Sequence, residues 1–339
     1  MRVVGDVNAV LLDLTVIAEQ ELQVPIVEVH REVCSMPPSP DDAYIKLTFQ
    51  THAPFPTLFT GEVDVQSTEV NVVATYNKGT YILGVQYDRD LMNESKAYTF
   101  AEKTQEVMIS AKTYPSYYFT NSIIVPNLNA YDGVPFYVTS SAGTKHSWAG
   151  AGRYPFYNSI GGTGNSIDAL WNDLSAAMAL MRTFQDDKGR VLNPNLQWGE
   201  KQFVIRCSAS YEQYFVQLLH NGINPVRGSQ SLGSNSGNMP VGASGVQTIW
   251  GTIAKLIVDP YLDVAGTVGG VNYAHTWFLD YVGMPQRPFV FSESRPLESY
   301  ALGIGSPLDV MENLLGIYTK HRWLMGTYRT DRSIRVTNA

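Results

Sequence analysis

The chain has 339 residues, with 24 Lys and Arg against 31 Asp and Glu and a formal net charge of −7. This acidic balance excludes the class of proteins that hold duplex DNA chiefly through phosphate contacts. Only 16% of the residues are charged and 12% are aromatic, whereas subunit interfaces are depleted of Lys and Glu and enriched in Tyr, Trp and Phe. The composition therefore favours extensive self-association, with a solitary Tyr-rich β-protein as the alternative.

The length permits one large domain or two packed subdomains, and we expect two. Cys34 and Cys207 are too few for a disulfide framework, so we predict two buried thiols in a reducing compartment. No apolar run approaches the roughly 20 residues that span a bilayer, and the start of the chain lacks the pattern of a signal peptide. We therefore expect a chain that is made in the cytoplasm and has no membrane partner.

The two ends of the chain differ in charge. The first 45 residues are acidic, whereas the last stretch carries the cations Lys320, Arg322, Arg329, Arg332 and Arg335. The ends can attract one another within or between chains, or they can form separate solvated faces. Residues 9–22 have the pattern of a short amphipathic helix, and the prolines at 37, 38 and 40 stop regular structure after it. We interpret residues 1–45 as an arm that lies outside the core.

Residues 44–87 have the pattern of extended strands. Apolar stretches flank Asn77, Lys78 and Gly79, which we interpret as the turn of a long β-hairpin. Thr, Gln, Ser and Asn interrupt the apolar residues. This pattern suits a ribbon that lies on a neighbour better than a strand that is buried on both faces.

A long helix follows the predicted hairpin. No Gly or Pro interrupts residues 91–114, and Phe100, Met108 and Ala111 share one helical stripe. Pro115 predicts the end of this helix, because proline lacks the amide hydrogen that the helix interior requires. The segment is long enough for about six turns.

Two further helices follow in the second half of the chain. Ser166 is a candidate N-cap for an apolar stripe over residues 167–184, and Gly189 predicts the end of that helix. Residues 203–207 have the pattern of a buried strand, after which Ser208 is the candidate N-cap of the next helix. These residues form a strand-to-helix unit.

The rest of the chain mixes a loop with strands. Residues 228–245 are rich in Gly and Ser and predict a surface loop. Apolar stretches predict strands near 253–260, 276–279 and 288–292, and the tail over 317–336 predicts one long strand or a pair of strands. Helices and strands mix without a regular βαβ period, which indicates the α+β class.

The sequence contains no recognisable catalytic, cofactor-binding or metal-binding pattern. No phosphate-binding loop, dinucleotide fingerprint or nucleophile elbow occurs, and the six histidines are scattered. His30 and Cys34 supply at most half a zinc site. Asp186 and Asp187 are adjacent carboxylates in a turn-like context, where helix termination explains them better than acid and base catalysis. We expect no catalytic, cofactor or metal residues, which favours a non-enzymatic role.

Several large side chains can belong either to the core or to an interface. We expect a mixture in which most are core residues for the set Tyr81, Val85, Phe100, Trp171, Phe184, Trp277 and Phe289. The segment Tyr131-Asp132-Gly133 has the pattern of a tight turn, in which Gly133 supplies a positive φ.

A set of short motifs occurs in a fixed order. The turn at Tyr131-Asp132-Gly133 is followed by Phe136-Tyr137 and preceded by a helix that ends in Tyr114-Pro115. The other motifs are Tyr81-Ile82-Leu83-Gly84-Val85, Phe184-Gln185-Asp186-Asp187, Val258-Asp259-Pro260-Tyr261, Trp277-Phe278-Leu279-Asp280 and Arg287-Pro288-Phe289. Together they resemble the major head subunits of Mu-like phages and prophages over roughly residues 80–330. The Gly/Ser insertion at 228–245 departs from that pattern.

The resemblance implies the fold of tailed-phage major capsid proteins, the Hong Kong 97 type. On this mapping the chain divides, in order, into an N-terminal arm at 1–45, an extended hairpin loop with its return strand at 46–90, a peripheral domain at 91–162 with a spine helix at 91–114, an axial domain at 163–275, and C-terminal strands at 276–339 that return to the peripheral domain. The order of elements read from the residues agrees with this mapping.

The resemblance also implies the function of a major capsid protein, which assembles through hexamers and pentamers into an icosahedral shell around DNA. Its expected partners are copies of itself, portal, scaffold or decoration proteins, and packaged DNA without sequence-specific binding. The candidate subunit contacts are Asn77, Lys78, Gly79, Tyr81, Arg322 and Arg335. The expected location is the virion capsid, with assembly in the host cytoplasm. The alternatives are a nanocompartment shell protein or a hydrolase with an unrecognised site.

Overall fold

Two larger β-sheets organise the chain in the computed structural model, and helices pack on them. The structure describes residues 5–37, 44–50, 70–88, 97–150, 152–194, 196, 202–220, 254–303, 306, 312 and 314–338. The helices of these residues are α1 Gly5–Gln23, α2 Val29–Val33, α3 Ala97–Tyr118, α4 Ile167–Thr183, α5 Ala209–His220 and α6 Pro260–Ala265. The strands are β1 Cys34–Ser35, β2 Tyr44–Gln50, β3 Val70–Asn77, β4 Gly79–Asp88, β5 Ser159–Gly161, β6 Phe203–Cys207, β7 Ala254–Val258, β8 Thr267–Val268, β9 Val271–Asn272, β10 Thr276–Tyr281, β11 Phe289–Leu302, β12 Leu314–Thr327 and β13 Ser333–Thr337.

The first sheet has five strands in the order β5-β13-β10-β6-β7. The central strand β10 is antiparallel to β13 and β6, whereas the outer pairs β13–β5 and β6–β7 are parallel. Every residue of β6 and β10 is buried, which agrees with their mainly apolar sequences, although Arg206 and Asp280 are buried among the apolar residues. Helices α4 and α5 contact this sheet. The predicted strand at 203–207 and the predicted helix after Ser166 are therefore confirmed.

The caps of α4 and α5 differ from one another. The Ser166 side chain accepts a hydrogen bond from the Ala169 amide and caps α4 as predicted. The prediction that Ser208 caps α5 is wrong, because its hydroxyl donates to the Ala274 carbonyl instead. The first amide of α5 donates to Asp263, a carboxylate 54 residues later in the chain. Tertiary structure thus supplies the cap that the local sequence was expected to supply.

The second sheet has four strands in the order β1-β11-β12-β4. Burial alternates along much of β12 because one face of the sheet packs on helices α1 and α3. Leu11, Leu14 and Ala18 of α1 contact residues such as Leu315 and Ile317 on that inner face. Even-numbered residues of β4 and β12 therefore lie on the opposite, outer face.

The predicted hairpin is present, but its turn is not where the sequence analysis places it. Strand β3 pairs with β2 in a separate two-stranded ribbon, whereas β4 pairs with β12. The prediction of a turn at Asn77-Lys78-Gly79 is therefore wrong. These residues carry the chain from the ribbon into the four-stranded sheet, and neither Asn77 nor Gly79 has the positive φ that a tight two-residue hairpin turn requires. The hairpin connection falls at residues 51–69, outside the described residues.

Helix α3 continues through Pro115, although the sequence predicts that it ends there. A π-helical segment, Phe119–Ile124, then extends it. The residues after the proline are held by packing, since Tyr118 contacts the Trp323 ring and Phe119 contacts the Phe289 ring. Burial of these aromatic rings outweighs the hydrogen bond that proline removes.

The acidic segment at the start of the chain contributes to the core. Val29, Val33 and Cys34 are buried in the larger hydrophobic cluster, whereas we expected residues 1–45 to lie outside it. Cys34 and Cys207 are both buried free thiols, as predicted. Of the large side chains in question, Phe100, Phe184, Trp277 and Phe289 are buried, and Tyr81, Val85 and Trp171 are partly buried against the cores.

Candidate assembly surfaces

The turn Tyr131-Asp132-Gly133 is built as the sequence predicts. Gly133 has a φ of 76°, and its amide donates to the Ala130 carbonyl at 3.1 Å. The Asp132 carboxylate accepts from the Val134 amide at 3.2 Å and lies 2.8 Å from Nδ1 of the buried His146. The other ring nitrogen of His146 donates to the Phe136 carbonyl at 3.0 Å. These bonds fix the shape of the turn.

The turn supports strand β2 of the β2–β3 hairpin near the C-terminal end of that strand. Phe49 of β2 is 2% exposed and stacks on the Tyr131 ring, with centroids 3.9 Å apart and planes 20° from parallel. Trp148 and Tyr328 contact the Phe49 ring edge to face. We call Tyr131, Trp148 and Tyr328 the hairpin socket. The socket anchors one strand of the hairpin to the body of the subunit.

The second strand of the hairpin is anchored by Tyr76. Its hydroxyl donates to the Thr327 carbonyl at 2.6 Å and lies 2.9 Å from the Thr327 hydroxyl, at the end of β12. Gly326 has no side chain, and a Cβ at that position would collide with the Tyr76 ring. Burial raises the pKa of the Tyr76 phenol, and its hydrogen bonds to Thr327 oppose that shift. Phe49 and Tyr76 were missed by the sequence analysis, because the residues that they contact lie far along the chain.

The candidate contacts next to the hairpin have different environments. Asn77 is exposed at the end of β3. Lys78 and Gly79 are half-buried where the chain passes from the β2–β3 ribbon into the four-stranded sheet. Tyr81 stacks on Trp323 with centroids 4.3 Å apart, and Tyr114 contacts the same pair. Burial raises the pKa of Tyr81 to about 12. Tyr81 is thus held mainly by contacts inside its own subunit.

The two candidate arginines lie in different sheets. Arg322 is half-buried on the outer face of the four-stranded sheet, directly opposite Arg295 of β11. Arg335 is 5% exposed, and its guanidinium donates to the Ser159 hydroxyl at 3.0 Å and lies over the Tyr137 ring. Arg335 was predicted as a subunit contact. That prediction is wrong, because its side chain is used inside the subunit.

The five-stranded sheet contains a buried charge network that the sequence analysis did not predict. Arg206 of β6 is fully buried, and its Nε donates to an Asp280 carboxylate oxygen at 3.3 Å. Its guanidinium carbon lies 4.3 Å from the Phe278 ring centroid and 4.8 Å from that of Phe119. Burial raises the pKa of Asp280, and the charge of Arg206 opposes that shift. The sequence did contain a signal for this network: Arg206 interrupts an otherwise apolar strand, and Asp280 interrupts another.

Within the described residues, no three His, Cys, Asp or Glu side chains are grouped so that they could hold a metal ion. The described helices include none that is both long enough and apolar enough to cross a bilayer. The exposed large apolar side chains include Leu12, Val16, Ile82 and Leu83, all in α1 or β4. Such apolar surfaces are typical of protein contact sites. The described geometry thus offers candidate contact surfaces.

No protein-family model matches the sequence, and no curated protein matches it. The structure, in contrast, is similar to chains of solved capsid structures. It superimposes on a chain of the mature capsid of bacteriophage PhiM1 with a TM-score of 0.53 and 12% identity, over 93% of this chain and 88% of that chain. For the capsid of cyanophage P-SCSP1u the TM-score is 0.51 at 10% identity, with 93% and 89% covered.

The capsid of an empty GTA particle gives a TM-score of 0.51 at 8% identity, and the match covers 93% of this chain and 91% of that one. The three matches extend over most of both chains, with helices and strands in one arrangement. The predicted fold class is therefore confirmed. The chain has an α+β fold of the Hong Kong 97 type found in phage capsid proteins.

Proposed function

We propose that this chain is the major capsid protein of a tailed bacteriophage. In this function it self-assembles through hexamers and pentamers into an icosahedral shell that encloses the DNA genome. The observation that supports this most strongly is the extent of the fold match, which covers 93% of this chain and 88–91% of the capsid chains.

The surfaces of the subunit support the same function. A closed shell requires one sequence to make many contacts at slightly different angles, which favours projecting segments on a rigid body. The hairpin strands β2 and β3 are anchored to the body of the subunit at Phe49 and Tyr76. Exposed apolar side chains in α1 and β4 would be covered by neighbouring copies. Asn77, Lys78, Gly79, Tyr81 and Arg322 remain proposed contact residues.

The proposed domains follow the order given by the sequence. Residues 1–45 form the arm, although Val29, Val33 and Cys34 of this segment pack in the core. Residues 46–90 form the extended hairpin loop and return strand, 91–162 the peripheral domain with the spine helix, 163–275 the axial domain, and 276–339 the returning C-terminal strands. Helix α3 is the proposed spine helix, with the observed bounds Ala97–Tyr118. The motif order over roughly residues 80–330 supports the narrower assignment to the Mu-like head subunits.

The proposed partners are further copies of the chain, with portal, scaffold and decoration proteins in the same particle. The net charge of −7 supports an inner wall that holds packaged DNA weakly and without sequence specificity. We place the assembled protein in the virion capsid, after assembly in the host cytoplasm. The proposed role is structural and includes no catalytic step.

Sedimentation velocity of the purified full-length chain, followed by electron microscopy of the fast-sedimenting fraction, tests this function. We expect capsomers and larger closed particles that form with rising protein concentration. A chain that remains monomeric at high concentration would contradict the proposal. A small fixed oligomer would favour the hydrolase alternative, and small closed particles that contain a protein cargo and exclude DNA would favour the nanocompartment.

A further inference from the structure

One face of the four-stranded sheet carries three cations that form no ion pair among the described residues. Arg295, Lys320 and Arg322 lie together on the outer face, since Arg295 is opposite Arg322 and Lys320 is two residues before it. Glu298, the carboxylate opposite Lys320, bonds to the Tyr300 hydroxyl. Among the described residues, none of the three cations forms an ion pair. The charge on this face is therefore available to a partner.

The same face contains an apolar groove. Gly84 of β4 and Gly316 of β12 leave a trough of about 470 Å³. Its walls include Ile82, which is 64% exposed, and Tyr318, whose ring stacks on Tyr300. We call the residues Ile82, Gly84, Arg295, Tyr318, Lys320 and Arg322 the outer sheet face. A groove without side chains at its floor can accept a ridge of apolar side chains. The adjacent cations would favour a ridge that also carries carboxylates.

Helix α1 presents such a ridge. Leu12 and Val16 are 65% and 44% exposed and lie one turn apart on the same side of the helix. Asp13 and Glu19 are exposed beside them, and no cation among the described residues pairs with either carboxylate. We call Leu12, Asp13, Val16 and Glu19 the α1 ridge. Its apolar centre and acidic flanks complement the outer sheet face in both shape and charge.

The two surfaces cannot meet within one chain. Leu11, Leu14 and Ala18 hold α1 against the inner face of the sheet, so the sheet itself separates the α1 ridge from the outer sheet face. A contact between them therefore needs a second copy. Because the two surfaces are different and lie on opposite sides of the subunit, the contact is heterologous and repeats from copy to copy, which generates rings when the rotation closes.

We propose that the α1 ridge of one copy docks on the outer sheet face of a second copy. The apolar side chains Leu12 and Val16 would fill the groove at Gly84, and Asp13 and Glu19 would pair with Lys320 and Arg322. The contact is one interface of the proposed shell and rests on that function. It identifies which surfaces of neighbouring subunits meet.

A charge-swap experiment tests the contact in the full-length chain. Reversing the sheet charges (Lys320→Glu with Arg322→Glu) or the ridge charges (Asp13→Lys with Glu19→Lys) creates like-charge contacts. Each change should raise the protein concentration for half-maximal assembly about tenfold or more, as measured by sedimentation velocity. The combined variant restores opposite charges and should return to within about threefold of the unaltered chain. Circular dichroism and urea unfolding would verify that each variant is folded.

A matched control reverses two cations elsewhere. Lys145→Glu with Arg153→Glu makes the same change of net charge as the sheet variant, at positions outside both surfaces. It should leave the concentration for half-maximal assembly unaltered. If the sheet variant is unfolded, Arg295→Glu, at an exposed position on the same face, replaces it in the test.

Normal assembly of both reversed variants, or failure of the combined variant to recover, would overturn the docking proposal while leaving the shell function in place. Loss of binding to a short DNA duplex, with assembly intact, would instead make the outer sheet face a nucleic-acid site and would equally overturn it. An unaltered chain that never assembles would contradict both this contact and the proposed function.

Discussion

The two sheets of this subunit differ in how completely one chain buries them. In the five-stranded sheet, β6 and β10 are buried at every position, and the charge of Arg206 is matched internally by Asp280. In the four-stranded sheet, the described helices α1 and α3 cover the inner face, the Tyr76 ring covers the outer face at Gly326, and Arg295, Lys320 and Arg322 on the outer face remain exposed or half-buried. The first sheet is buried within the subunit at its central strands, whereas the proposed docking assigns the outer face of the second sheet to a neighbouring copy.

The difference separates residues that stabilise the subunit from residues that join subunits. A change in the five-stranded sheet should act on the free energy of unfolding of the monomer. A change in the hairpin or on the outer face of the four-stranded sheet should act on local opening or on assembly. The following variants test this separation.

The largest effect is expected from Arg206→Met. This change leaves the carboxylates of Asp280 and Asp259 buried without their cation, which destabilises a protein by about 3–5 kcal/mol. Urea unfolding of the dissociated subunit measures the loss. The matched control is Lys255→Met in the adjacent strand, whose exposed ion pair with Glu32 should contribute less than about 1 kcal/mol. Equal losses of unfolding free energy in the two variants would contradict the claim that the buried charge of Arg206 stabilises this sheet.

The hairpin anchor gives a second, more local effect. Phe49→Ala removes the ring that fills the hairpin socket and should destabilise the attachment of β2 by about 3 kcal/mol. Hydrogen exchange of the amides in β2 and β3 should become faster, while exchange in β6 and β10 stays slow. Tyr44→Ala, at a position 45% exposed in the same strand, should change little. Faster exchange in β6 and β10 as well as in β2 and β3 after Phe49→Ala would show that the hairpin does not open independently of the five-stranded sheet.

The smallest effect is expected at the turn that supports the socket. Gly133→Ala meets open space, so its penalty comes from the backbone φ of 76° and should be about 1 kcal/mol. Gly143→Ala is the matched control, because that position is equally open but has no positive φ. The urea unfolding midpoints of the two variants are compared. An unaltered midpoint for Gly133→Ala would contradict the claim that the positive φ of Gly133 is required for the turn.

Sequence patterns predicted the elements whose determinants are local. The apolar stripe and Ser166 specify α4, the apolar run specifies β6, and Gly133 specifies the turn. In each case the contacts that determine the element lie within a few residues of one another. The period of the apolar residues and the chemistry of the caps are therefore enough to predict it.

Predictions failed where distant residues decide the local structure. Pro115 does not end α3, because aromatic rings from β11 and β12 bury the turn that follows it. Asp263 replaces Ser208 as the cap of α5. Asn77-Lys78-Gly79 does not form the hairpin turn, because β4 pairs with β12, more than 200 residues later in the chain. The anchors Phe49 and Tyr76 could not be identified for the same reason, since their partners lie in the socket and in β12.

A cryo-electron microscopy reconstruction of particles assembled from the purified chain tests the central claim most directly. We expect a closed icosahedral shell in which each copy keeps the two sheets described above and a second copy covers the outer face of the four-stranded sheet. Particles in which that face is exposed to solvent in every copy, or a chain that stays a stable monomer with the same fold, would contradict the claim.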